Sequence, residues 1–175
     1  MVDLRDTLSD QMGGLEALAG KIPGYGGYKE KELRRAADQK LREHLAAKLS
    51  QERQKAEAVA GQMLTGPGLM QLDEFGTVNT RLQTLIDRVK TAAQGYAGFF
   101  DAVKIKEDEL DLLYEFDEEM LFKVDDLSAA IDGVQAALDS GDSAKIPGAV
   151  RAYGQSVADA LTAFDRRKDT LLGLE

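Results

Sequence analysis

From Leu110 onward, apolar residues return at alternating steps of three and four: Leu113, Met120, Val124, Leu127, Ile131, Val134 and Leu138, with Asp117 the polar residue on the pattern. The same stepping runs through Leu72, Phe75, Leu82, Ile86, Val89, Ala93 and Tyr96, interrupted by Asn79, and again through Val150, Tyr153, Val157, Ala160, Phe164 and Leu171. A helix turns once in about 3.6 residues, so this spacing gathers apolar side chains into one stripe, suited to a neighbour lying nearly parallel. Several such stripes predict an all-α fold, an elongated antiparallel helical bundle with coiled-coil-like packing.

Turn chemistry divides the pattern into about five helices. The first is expected over residues 3–18, with Leu4, Leu8, Met12, Leu15 and Leu18 on one side. Gly13-Gly14 weakens it, because glycine in a helix costs about 1 kcal/mol relative to alanine. Residues 1–20 are therefore a candidate for a separate amphipathic segment within an otherwise single domain, 1–175. Pro23 with Gly24, Gly26 and Gly27 then forbids a regular helix. The second helix is expected over 29–64, with Leu33, Ala37, Leu41, Leu45, Leu49, Ala56, Val59 and Met63 as its stripe. At 1.5 Å per residue it would be roughly 50 Å long, more than one compact core needs. Thr65-Gly66-Pro67-Gly68 ends it, and a third helix follows over 69–94. Gly95 to Phe100 either bends one continuous rod or separates two. The last two helices are expected over 107–138 and 147–172, divided by Ser140-Gly141-Asp142-Ser143, with Pro147 tolerated in a first turn.

Composition narrows the class. The chain has 175 residues, 43% hydrophobic and 30% charged, enough to bury a core of its own. It contains no cysteine, which excludes disulfides, thiolate metal sites and a cysteine nucleophile. No stretch has the length of a membrane span, and the first residues lack a signal peptide's basic start and apolar centre, so a cytoplasmic address is expected. The net charge of -9 opposes sequence-blind binding of nucleic acid and of anionic membranes. That charge is uneven. Residues 107–126 hold ten carboxylates against Lys123 alone, whereas 29–55 hold nine bases against five acids. The two long helices they occupy are expected to lie side by side and neutralise each other, with an open acidic docking face as the alternative.

Residues capable of chemistry do not converge in the sequence. Glu115 and Glu119, one helical turn apart, are the candidate metal ligands of a carboxylate bundle. The di-iron version needs Glu-x-x-His on two helices, and His44 is the only histidine, with Leu41 three residues before it. No EF-hand or Walker spacing occurs. His44 reads as a half-buried helix histidine without a partner for acid–base work. Asp117 and Asn79 occupy stripe positions, where one buried polar residue fixes register at a cost in stability. Alternatively the stripe slips, and Phe116 and Leu121, or Val78 and Leu85, face inward. A buried Asp117 would require a base, for which Arg34, Arg35 and Arg42 are candidates. Tyr25 and Tyr28 in one helix junction, and Phe99 and Phe100 in another, would form an end-cap core or a partner-binding patch.

Three blocks carry a resemblance: Ile22 to Glu32 (IPGYGGYKEKE), Gly95 to Asp101 (GYAGFFD) and Leu113 to Asp117 (LYEFD). Together they resemble a bacterial all-α family with no assigned activity, which implies a bacterial, non-secreted protein and adds nothing toward an enzyme. The expected function is a non-enzymatic scaffold or adaptor binding other proteins or its own copies, without a cofactor. A peripheral membrane-associated module is the alternative from residues 3–18, disfavoured because their polar face carries mainly Asp3, Arg5, Asp6, Asp10 and Glu16. A carboxylate metal-binding bundle is the third.

Overall fold

Two glycine-containing turns decide the layout of the chain. The computed structural model describes residues 31–92 and 107–172, with side chains over 39–92 and 116–166. Helix α1 spans Lys31–Met63, α2 Leu72–Thr91, α3 Glu107–Asp139 and α4 Ile146–Leu172, and a one-turn 3-10 helix occupies Leu69–Gln71. Among the described residues there are thus four α-helices and no strand. The helix expected over 3–18 lies outside the described residues, as do Tyr25, Tyr28, Phe99 and Phe100.

After Met63 the chain turns through Thr65 to Gly68, where Leu69 N–H donates to the Gly66 carbonyl (3.4 Å) and Gln71 N–H to that of Gly68 (2.9 Å). Gly68 is required by close approach. A Cβ there would stand 2.8 Å from Leu138 Cδ2 and 2.9 Å from Met63 Cγ, inside contact distance. The second turn ends α3 through Gly141, whose φ of +67° lies in the left-handed region that L side chains avoid. Its N–H donates to the Leu138 carbonyl (3.0 Å), and Asp142 Oδ1 accepts from Ala144 N–H (3.1 Å) to lead into α4. In α2, Asp73 and Glu74 open the helix and Arg88 and Lys90 close it, complementing its dipole.

Each turn makes an antiparallel hairpin, α1 with α2 and α3 with α4. The hairpins dock so that α1 lies beside α3 and α2 beside α4, leaving α1–α4 and α2–α3 as the diagonals of a square. The direction of docking follows from side chains that cross it. Lys55 Nζ donates to Ser128 Oγ (2.9 Å) and Gln135 Nε2 to Gln62 Oε1 (2.7 Å), each pair separated by 73 residues, so α1 and α3 run parallel. Tyr153 OH donates to Asn79 Oδ1 (2.7 Å), and Arg88 pairs with Asp165, so α2 and α4 run parallel as well. Because α2 opposes α1 and α3 runs parallel to α1, α2 and α3 are two antiparallel helices rather than parts of one bent rod.

The core is a column between the four helices, built from Leu41, Leu45, Leu49, Ala56, Val59 and Met63 of α1, Phe75, Leu82, Leu85 and Ile86 of α2, Met120, Val124, Leu127, Ile131 and Val134 of α3, and Ile146, Val150, Tyr153, Val157 and Phe164 of α4. Burying each large side chain contributes roughly 1.5–3 kcal/mol. The buried band is broader than a single three-four stripe. Val78, Leu85 and Leu121 are buried beside the stripe, because each helix in a square touches two neighbours and must cover both. Leu127 is fully enclosed, so Leu127→Ala is expected to lower the unfolding free energy by about 2–5 kcal/mol in urea titrations followed by circular dichroism. Gly141→Ala is expected to cost about 1 kcal/mol with an unchanged helical spectrum.

Candidate interaction site

Asp117, read from the sequence as a seam residue, is 1% exposed on the inner face of α3. The α1–α3 register of 73 places it level with His44, at the end of the bundle where Arg42 of α1 is also buried. The acid and the base expected to accompany it are therefore brought to the same end, while the side chains of Arg34 and Arg35 lie outside the described residues. Glu119 faces the α4 side, with its Oε1 4.0 Å from Arg166 Nη1. The Glu115 side chain lies outside the described residues. Among the described residues no three His, Cys, Asp or Glu side chains converge as a metal site would require. A surface hollow of about 260 Å³ is lined by Gln39, Arg42, Glu43 and Lys90.

His44 is partly buried, and this burial, with the Lys48 ammonium one turn away, lowers its imidazole below the ordinary value of 6.5. Halfway along the bundle a polar layer interrupts the core. Tyr153 is fully buried on α4, its ring 5.1 Å from that of Phe75, and its hydroxyl ends on Asn79. Burial raises the phenol well above its ordinary value; Arg53 pulls it back and Glu52 adds to the rise, so both residues of α1 feel the same site. Glu52 is itself 8% exposed, occupying the α1 stripe between Leu49 and Ala56. Its Oε2 lies 3.0 Å from Lys55 Nζ, which hydrogen-bonds onward to Ser128. The Tyr153–Asn79 bond joins α4 to α2, and the chain from Glu52 through Lys55 to Ser128 joins α1 to α3. One turn from the α2 C-terminus, Arg88 grips Asp165 through both nitrogens and lies 5.4 Å from the Phe164 ring centroid.

The opposite pattern holds at the end formed by both turns. Leu64 is 58% exposed, Leu69 56% and Met70 88%, three large apolar side chains within one seven-residue stretch. The Gly68 approach to Met63 and Leu138 clamps this stretch on the ends of α1 and α3, and the 3-10 turn packs against α2 and α4. The backbone of this stretch packs on the bundle end while its three large apolar side chains remain exposed. Sequence spacing did not single them out. Leu69 and Met70 read as the first residues of a helix, and Leu64 falls off the α1 stripe; the available signal was three large apolar residues flanking Gly66-Pro67-Gly68 without a period to bury them. Comparison with family models, curated proteins and solved structures returns no match for this chain.

Tyr153→Phe is expected to cost about 0.5–1.5 kcal/mol, the worth of the hydrogen bond to Asn79, read as a lowered thermal midpoint. Because the folded phenol holds its proton where the unfolded one ionises, the stability it contributes should fall as pH rises above about 10. For His44 the sign is reversed. The unfolded chain takes up a proton near pH 6.5 and the folded chain resists it, so stability should be retained above that pH and decline below it. Subtracting the pH 5.5 to 7.5 stability profile of His44→Gln from that of the wild type isolates this contribution.

Proposed function

We propose that the chain is a non-enzymatic helical scaffold that binds another protein through the tip built by Leu64, Leu69 and Met70. The observation that carries this reading is the outward display of these three side chains, on a backbone that Gly68 clamps in place, beside a bundle whose other large apolar residues are mostly interior. Exposed apolar clusters rimmed by polar residues mark sites where other molecules dock, and methionine adapts its shape to a partner. The Tyr153 hydroxyl meets Asn79 and the Glu52 carboxylate meets Lys55, contacts that serve register rather than catalysis in this reading. Among the described residues no helix is long and apolar enough to cross a membrane, and a cytoplasmic address fits this reading.

A photo-crosslinking residue placed at position 70 of the full chain is expected to yield a discrete protein adduct in cells, whereas one at the exposed Asp132 should not. Leu69→Ser is expected to weaken the captured complex roughly tenfold, since one buried leucine is worth about 1.5–3 kcal/mol. Equal yields from both positions, or none from position 70, would overturn the reading, and light scattering separates a partner from a second copy.

A further inference from the structure

We infer that the partner of this tip is a segment with an apolar stripe flanked by lysine or arginine, an inference that rests on the tip being the docking surface. The charge around the apolar trio points one way. Helices α1 and α3 run parallel, so both C-termini, the negative ends of their helix dipoles, lie at the tip. Neither has a basic residue in its last turn. The last turn of α3 instead ends in Asp139, a carboxylate placed where the helix dipole disfavours it, whose Oδ1 accepts from the neutral amide of Gln135 at 2.8 Å.

The helix N-termini at this end do carry their compensating acids. Asp73 and Glu74 open α2, both exposed, and among the described residues no cation is paired with either. Asp142 caps the approach to α4. Positive ends of dipoles are therefore neutralised here and negative ends are not. Of the bases nearby, Lys145 Nζ lies 3.7 Å from Asp142, so the two charges offset each other, and Arg151 Nε folds back onto the Pro147 carbonyl at 3.2 Å. Asp73, Glu74 and Asp139, on the helix ends that share this end of the bundle with Leu64, Leu69 and Met70, favour an amphipathic segment whose apolar side chains cover the trio and whose cations meet these carboxylates, while repelling acidic competitors. The same carboxylates oppose an anionic lipid surface.

The test uses the full chain and two fluorescent helical peptides of about five turns that share a leucine stripe, one flanked by Lys and Arg and the other by Glu. The basic peptide is expected to bind at 1:1 stoichiometry, at least about tenfold tighter than the acidic one, and to weaken as salt rises from about 50 to 300 mM. Leu69→Ser with Met70→Ser should weaken it about tenfold or more, and Glu74→Gln with Asp139→Asn severalfold, while the distant pair Asp125→Asn with Asp126→Asn leaves it unchanged. Equal affinity for both peptides, or equal loss from the distant pair, overturns the inference and leaves the tip as a docking surface of another specificity. Tip-dependent self-association, abolished by Met70→Ser, also overturns it. Failure to hold either peptide, together with no adduct from position 70, overturns both this inference and the docking role of the tip.

Discussion

Each helical hairpin has an apolar face that only the other hairpin can cover, and the rest of the structure depends on that mutual covering. Hydrophobic attraction drives it but is non-directional: two striped hairpins could slide by a heptad and bury nearly the same area. The cross-hairpin polar contacts remove that freedom. Asn79 with Tyr153 and Arg88 with Asp165, both part-buried, hold α2 against α4, while the exposed Lys55–Ser128 and Gln62–Gln135 contacts mark the α1–α3 register and add little to it. A slipped pairing would bring apolar neighbours to the Tyr153 hydroxyl and the Glu52 carboxylate, and a buried polar group deprived of its partner costs about 1–3 kcal/mol. Packing thus supplies the affinity between halves, and a handful of polar side chains supplies their alignment.

The register has a consequence at the end of the bundle. Because α1 and α3 are parallel, both turns meet at one end, where the Gly68 backbone wedges between Met63 and the Leu138 side chain. The polar layer and the apolar tip are linked in this way: a shift of one hairpin along the other would pull Leu138 from under Gly68 and release the backbone that holds Leu69 and Met70 outward. A rigid display loses less conformational entropy on docking than a floppy one.

Helix positions were largely legible from residue spacing. Helix α1 spans Lys31–Met63 where 29–64 was expected, and α3 spans Glu107–Asp139 where 107–138 was expected, because glycine and proline in the turns leave the backbone little choice. Those two helices adjoin, as expected, although Lys123 of the acidic helix pairs within it, with Asp126, and Glu119 pairs with Arg166 of α4. The square order and parallel α1–α3 direction were not legible, since a stripe states which face is buried and not against which neighbour. Glu52 escaped notice although it stands on the α1 stripe; an acid there reads as a gap until Tyr153 and Lys55 appear beside it. The tip escaped for a different reason. Leu64, Leu69 and Met70 obey no period, and periodicity is the signal by which apolar residues are sorted into inside and outside.

The separation of 73 residues between α1 and its parallel neighbour also sets an order of events during synthesis. The first hairpin leaves the ribosome with Phe75, Leu82 and Ile86 exposed to water, and what covers them is still untranslated. At about 5–20 residues per second that interval lasts several seconds, ample for a nascent chain to meet chaperones or another nascent copy. Yield in a crowded cell will therefore be governed by the fate of a half-made bundle as much as by the stability of the finished one.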